Sequence, residues 1–183
     1  MNAIVAVDSN WGIGKDNDLL CYLPQDLQYY KSKTINKCII VGRKTLESFP
    51  GGKPLPKRDI IVLTSDKNYK VTLRDTMKMA GEAGDQPYTC TLCSSKEEVL
   101  EVAARYQAAN PDDEDAVMVC GGASIYEMFA DDCDAFYVTK INQSFDADRF
   151  FPNLDEMGLK ITWESDLQEE NGINYTWTKY ERV

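Results

Sequence analysis

The chain has no histidine, which removes the side chain that most often serves as general base or zinc ligand near neutral pH. Proton chemistry therefore falls to carboxylates, lysine, tyrosine, cysteine or water. Basic residues are also scarce, 20 Lys+Arg against 30 Asp+Glu for a net charge of −10. That balance repels phosphate backbones and argues against nucleic acid as a main partner. No apolar run approaches the ~18 residues of a membrane span. The opening Met1-Asn2-Ala3-Ile4-Val5-Ala6-Val7-Asp8 lacks the basic region and longer apolar core of an export signal. A cytoplasmic chain with no membrane partner is the expectation. No repeat or low-complexity linker divides it, and 183 residues suit a single domain spanning 1–183.

Six cysteines are present, at 21, 38, 90, 93, 120 and 133. Without an export signal they are expected as free thiols that pack like small apolar groups. Cys90-Thr-Leu-Cys93 resembles half of a zinc site, but the chain offers no second such pair and no histidine to complete it, so no metal is expected. The sequons at Asn142 and Asn174 are expected to be accidental.

Short unbroken apolar runs at 3–7, 38–41, 60–63 and 117–120 read as strands buried on both faces of a sheet. Helices fall between them. Pro24 to Lys33 opens with proline in the first turn and repeats Leu23, Leu27 and Tyr30 at helical spacing. Ser95-Lys-Glu-Glu98 is a capping-box signature ahead of a helix ending near Asn110-Pro111. Gly122 to Ala130 is a third helix, Phe136 to Ile141 a further strand, and 162–165 with 175–180 a closing antiparallel hairpin. The pattern predicts an α/β fold with a mostly parallel central sheet and an antiparallel C-terminal edge. Residues 66–89, punctuated by Gly81, Gly84 and Pro87, read as an insertion with room for a short helix. The acidic run Asp112 to Asp115 reads as a solvated loop.

Local charge is more informative than net charge. Between Lys31 and Arg58 eight basic residues face Glu47 alone, an island suited to capturing a small polyanion. Two segments resemble strand-to-helix anion sites, Gly42-Arg-Lys-Thr45 and Cys120-Gly-Gly-Ala-Ser-Ile125, although neither is a Walker loop or a Rossmann fingerprint. Taken together they suggest an extended dinucleotide, with Arg43 and Lys44 favouring the phosphorylated NADP over NAD. Asp26, in the first turn of its helix, is placed to project a carboxylate beside apolar groups, although a simple favourable interaction with the helix dipole also accounts for it.

These motifs, in this order, resemble the dihydrofolate reductase family over nearly the whole chain. Ala3 to Val7 is similar to its first strand, Gly12-Ile-Gly-Lys-Asp-Asn17 to the mobile loop, and Leu23-Pro-Gln-Asp-Leu27 to the helix carrying the active-site acid. Gly42 to Thr45, Pro54 to Arg58, Gly121 to Tyr126, Tyr137-Val-Thr139 and Asp148 to Pro152 continue the match. The resemblance implies a single three-layer domain, expected to be a monomer, that reduces 7,8-dihydrofolate with NADPH and binds antifolate inhibitors.

The family's residue roles fall on positions of this chain. Asp26, Thr139 and Leu19 are implied as catalytic, with Thr139 reaching Asp26 through a shared water. Ile4, Val5, Ala6, Leu27, Tyr30, Phe49, Leu55 and Cys120 are implied as walls of the substrate pocket, and Arg58 as the partner of the substrate's tail carboxylate. Cofactor contacts are implied for Ala6, Ile13, Gly14, Asn17, Leu19, Gly42, Arg43, Lys44, Thr45, Leu63, Thr64 and Ser65. They continue through Cys120, Gly121, Gly122, Ala123, Ser124, Ile125 and Tyr126, with a cis peptide between the paired glycines. Departures are also visible. Leu20-Cys21-Tyr22 replaces the usual tryptophan after the mobile loop, Ser124 stands where some members carry arginine, and 66–89 is longer than the compact bacterial pattern. The rival expectations are a same-fold reductase of a ribosylated pyrimidine and a non-catalytic nucleotide-binding module.

Overall fold

A computed structural model describes residues 1–183. Its strands are β1 (Asn2–Val7), β2 (Gly12–Gly14), β3 (Cys38–Gly42), β4 (Asp59–Leu63), β5 (Met77–Met79), β6 (Tyr88–Cys93), β7 (Val117–Val119), β8 (Ala135–Ile141), β9 (Arg149–Phe150), β10 (Lys160–Glu164), β11 (Gln168–Glu170) and β12 (Ile173–Glu181). Its α-helices are α1 (Pro24–Thr34), α2 (Arg43–Ser48), α3 (Lys96–Ala109) and α4 (Ala123–Phe129). The main sheet runs β10-β12-β8-β1-β7-β3-β4-β6-β5, with β11 alongside β12, while β2 and β9 form a separate pair.

An apolar run without polar alternation offers no face to water, so it is stable only where both sides of the sheet are covered. Ile39, Ile40, Val41, Ile60, Ile61 and Val62 are each at most 1% exposed. Alternate residues divide between two cores. Val5, Ile40, Ile61, Val117 and Val119 pack with Val99 and Val102 of α3 and Ile125 and Phe129 of α4. Ile4, Ile39, Val41, Ile60, Val62 and Met118 pack on the other face with Leu46 of α2, with Tyr29 and Tyr30 of α1 against them. Helices thus cover both faces, giving the expected three layers.

The antiparallel part is larger than a single edge strand. β12 lies inside the sheet, antiparallel to both β8 and β10, because its long alternating run can bond on both sides. Ser95 caps α3 by accepting from the Glu98 N–H at 3.2 Å. Glu98 returns a carboxylate oxygen to Ser94 N at 2.8 Å, one residue short of the usual box. Leu23 caps α1 with no side-chain bond. Glu170 of β11 does that work instead, accepting the Gln25 N–H at 3.0 and 3.1 Å.

Two expectations are corrected. Residues 66–89 hold no α-helix; Met77–Met79 is a strand parallel to β6. Only Met77 of that strand is buried, and Gly81 and Gly84 at φ of +87° and +142° break any helical continuation. The acidic run is not merely solvated either. Asp115 accepts from Asn2 Nδ2 at 2.7 Å and from the Tyr137 hydroxyl at 2.9 Å, tying β1 and β8 to the loop before β7. Asp113 pairs with Lys37, which draws one charge out of the basic island.

Phe129 is fully buried between α4 and the sheet. Phe129→Ala is expected to lower unfolding free energy by about 3–5 kcal/mol in chemical denaturation. Ser124→Ala, at an exposed position of the same helix, is expected to change it by less than about 0.5 kcal/mol.

Candidate active site

Strands β1, β7, β3 and β4 are adjacent and parallel, so their carboxyl ends open on one rim of the sheet, where ligands of such folds bind. The sequence's strand-to-helix junctions meet there. Gly42 N–H donates to Gly121 O at 2.9 Å, joining the start of α2 to the start of α4. A Cβ on Gly121, at φ +114°, would stand 3.2 Å from the Tyr126 ring, and one on Gly122 would stand 3.2 Å from Thr45 Oγ1. Bare backbone is therefore required where the two junctions approach. The Gly121-Gly122 peptide is cis, as expected. Tyr126 donates its hydroxyl to Ile4 O at 2.6 Å, fixing this rim to β1.

Neither α2 nor α4 has a side-chain cap, so no side chain blocks the first-turn N–H groups at Arg43 to Thr45 and at Ala123 and Ser124, while Ile125 N–H already donates to Gly122 O at 3.0 Å. Lys44, Ser65 and Ser124 are exposed on the rim, with Leu63 and Thr64 partly covered at the end of β4. Arg43 is already oriented by acids. Its guanidinium lies 3.9 Å from Glu47 and 4.0 Å from Asp66, and 5.9 Å over the Tyr69 ring.

The segment after β1 is anchored at its root. Buried Asp8 accepts N–H bonds from Asn10, Gly12 and Phe145 at 2.8–2.9 Å. Ile13 packs against the core and Gly14 is buried, whereas Asn17 and Leu19 stand out from the protein, Leu19 at 61% exposure. Leu19 touches neither Asp26 nor Thr139 through a hydrogen bond, and its link to them is not formed by the chain itself.

Asp26 projects from the first turn of α1 toward a row set by strand register. Ala6 of β1 lies opposite Thr139 of β8, and Thr139 opposite Trp177 of β12. Thr139 Oγ1 donates to Asp26 Oδ1 at 2.6 Å and Trp177 Nε1 donates to the same oxygen at 2.9 Å. The Thr139 contact is direct, not water-mediated as expected: Thr139 is 2% exposed, and its hydroxyl meets the α1 carboxylate with no room between them. Asp26 Oδ2 has no partner within the chain. Burial raises the Asp26 carboxyl above its ordinary value of 3.8, the Thr139 and Trp177 bonds restrain that rise, and the charge of Glu170 adds to it. Trp177 is the residue sequence reasoning missed. Its signal was the period-two alternation of β12, which faces it toward α1 only once the β8–β12 register is known.

Arg58 is 4% exposed yet has no carboxylate partner. Its Nε and Nη2 donate to Thr34 Oγ1 at 3.2 and 3.0 Å, and Nη1 donates to Pro56 O at 2.7 Å. A guanidinium has five N–H groups, so these bonds orient the head and leave N–H groups on both terminal nitrogens. Tyr30, Phe49, Leu55 and Cys120 gather on the same face of the sheet around Ile4. Burial pushes the Cys120 thiol up to about 12, so it is a neutral wall and not a nucleophile.

Two of the expected pocket residues sit apart from this buried cluster. Val5 belongs to the core on the opposite face, because successive strand residues point to opposite sides. Leu27 is 40% exposed, so it is not part of the buried stripe of α1. All six cysteines are free, five of them buried, and no helix is long and apolar enough to cross a membrane.

Comparison with known proteins bears on this geometry. The sequence profile described as Dihydrofolate reductase matches residues 1–182. The chain is 37% identical to "Dihydrofolate reductase" of Bacillus subtilis (strain 168), covering 98% of this chain and 92% of that protein. It is 33% identical to "Dihydrofolate reductase" of Staphylococcus haemolyticus, covering 100% and 96%. Among solved structures, the chain resembles "Dihydrofolate reductase from Enterococcus faecalis complexed with NADP(H)and RAB-propyl". The TM-score is 0.76 at 30% identity, covering 99% of this chain and 95% of the other. With a profile match across the sequence and relatives of this identity along their whole length, the chain belongs to the dihydrofolate reductase family.

Proposed function

We propose that this chain reduces 7,8-dihydrofolate to 5,6,7,8-tetrahydrofolate with NADPH. The observation that carries the reading is Asp26, a partly buried carboxylate with one oxygen occupied by two protein donors and the other oxygen without a protein partner. A carboxylate fixed at one oxygen by the protein and open at the other presents a single oriented acceptor. It suits an acceptor for the ring N–H and amino group of a pterin. Arg58 favours folate over a ribosylated pyrimidine, because an oriented guanidinium fork without an internal carboxylate partner matches a carboxylate tail.

The rim fits the cofactor. The close-approach glycines at 121 and 122 and the uncapped helix starts supply backbone N–H groups for the pyrophosphate. Arg43, Lys44 and Ser65 would hold the extra ribose phosphate, with Thr45 beside a pyrophosphate oxygen. NADPH, when bound, supplies the hydride. Asp26 Oδ2 orients the substrate ring, and its negative charge favours a proton on the adjacent imine nitrogen, making the neighbouring carbon a better hydride acceptor. Thr139 holds the carboxylate of α1 against β8, and Ile4, Tyr30, Phe49, Leu55, Cys120 and the exposed side of Leu27 exclude water from the ring. A monomeric cytoplasmic enzyme that also binds antifolates fits this reading.

Purified protein is expected to oxidise NADPH on addition of dihydrofolate, with NADH much less effective; NADPH binding without turnover would remove the reductase reading. Asp26→Asn is expected to slow hydride transfer by about 10²- to 10⁴-fold while NADPH affinity stays unchanged.

The same variant has a stability signature. Below 3.8 the carboxyl is protonated in folded and unfolded chains alike and contributes nothing. As pH rises from there to the raised native value, the unfolded chain ionises first, so stability falls; above that value the loss is constant. Asparagine presents an oxygen to Thr139 and Trp177 without the charge. Asp26→Asn is therefore expected to melt higher than wild type at neutral pH, with the difference disappearing below 3.8 in a series of thermal melts.

Arg58→Leu is expected to raise the dihydrofolate KM by an amount equivalent to about 2–5 kcal/mol. A pteridine lacking the glutamate tail should be reduced equally by both proteins, and an equal loss with that substrate would contradict the assignment.

A further inference from the structure

The Asp26 carboxylate is held by a residue from β12, a strand that carries none of the site motifs legible in the sequence. Trp177 Nε1 lies 2.9 Å from Asp26 Oδ1, the oxygen that also accepts from Thr139. Each carboxylate oxygen has two lone-pair directions, so protein donors fill Oδ1 and only Oδ2 is left to a ligand. The indole cannot easily turn away. Its ring stacks on Tyr29 at 4.7 Å and 20° and meets Tyr175 edge-on at 5.7 Å. Tyr29 lies one turn after Asp26 on α1, so a single side chain grips that helix by both its N–H and its face. The backbone is fixed as well. Trp177 N–H donates to Ser165 Oγ at 3.0 Å, and Ser165 N–H to Trp177 O at 2.8 Å.

We infer that Trp177 is a positioning residue for the reaction: its indole N–H, with Thr139, locks the Asp26 carboxylate in one orientation and makes Oδ2 the sole acceptor for the substrate ring. This inference rests on the reductase reading for its kinetic consequences, but not for its structural one. Position 21, where the family usually carries its active-site tryptophan, is cysteine here. The indole on β12 therefore reaches the acid from a strand, whereas position 21 lies in the loop before α1, and it bonds the carboxylate directly.

Removing a donor from an anion's oxygen disfavours the anion. The other ionisable groups facing Asp26 are Cys21, Tyr29, Glu170 and Tyr175. Cys21 and the two tyrosines are neutral at the pH of interest, and Glu170 is unchanged by a substitution at Trp177.

Trp177→Phe keeps the stacked ring and deletes the N–H; Trp177→Leu deletes both. In NMR titration of the carboxyl carbon, assigned through Asp26→Asn, Trp177→Phe is expected to raise the Asp26 pKa by about one unit. The pH profile of hydride transfer should move in the same direction. The dihydrofolate KM should rise several-fold, with NADPH affinity unchanged. In wild type, the Trp177 indole N–H resonance should titrate with the Asp26 carboxyl, a measurement that needs no variant to fold. An indole resonance indifferent to that titration would overturn the inference. So would a Phe variant that matches wild type while the Leu variant is impaired, since the ring would then act by packing alone. A wild type without dihydrofolate turnover but with the coupled titration would sink the reductase reading and leave the Trp177–Asp26 lock standing.

Discussion

A carboxylate can leave water only where donors are already waiting for it, and that constraint organises this molecule around Asp26. The donors come from strands on the antiparallel side of the sheet, Thr139 on β8 and Trp177 on β12. Their alignment depends on a register in which Ala6, Thr139 and Trp177 lie in one row. A slip of one residue in either pairing would turn a donor to the far face of the sheet. The buried interior of β8 and the long β12 ladder therefore preserve side-chain placement at the site as well as stability.

The opposite half of the rim is built from backbone. Where Asp26 needs donors from side chains, the junctions after β3 and β7 present main-chain N–H groups, kept accessible by glycines that admit no Cβ. Charge is added only at the periphery, and part of it is balanced internally through Asp66, Glu47 and Asp113. Local positive potential thus coexists with a strongly acidic chain, which favours a small anion over a long polyanion.

Much of this architecture is legible in the amino-acid sequence. Strands whose side chains are buried on both faces declare themselves as unbroken apolar runs, and Ser95 and Pro24 mark their helices by local chemistry that tertiary contacts need not supply. The features that escape a reading of the sequence are set by long-range contact. Met77–Met79 is too short for its periodicity to be read, and it becomes a strand only because β6 offers a free edge. Asp115 looks like one acid in a solvated run until Asn2 and Tyr137 arrive from β1 and β8. Val5 lies beside Ile4 in the same apolar run, and only strand alternation sends it to the other core. Trp177 is invisible for the same reason, since its partner lies 151 residues earlier in the chain.

That separation has a consequence for the order of events during synthesis. β12 follows every other strand in the chain yet sits between β8 and β10 in the sheet. A nascent chain that has emerged only through β8 has an unpaired strand edge, no cap on α1 from Glu170, and a single donor on Asp26. Chains emerge N-terminus first, so the ribosome can deliver a nearly complete sheet whose acid is not yet held. Asp26 gains its second donor only once β12 has been made, and a chain cut before that strand would keep most of its sheet while its acid was held by Thr139 alone.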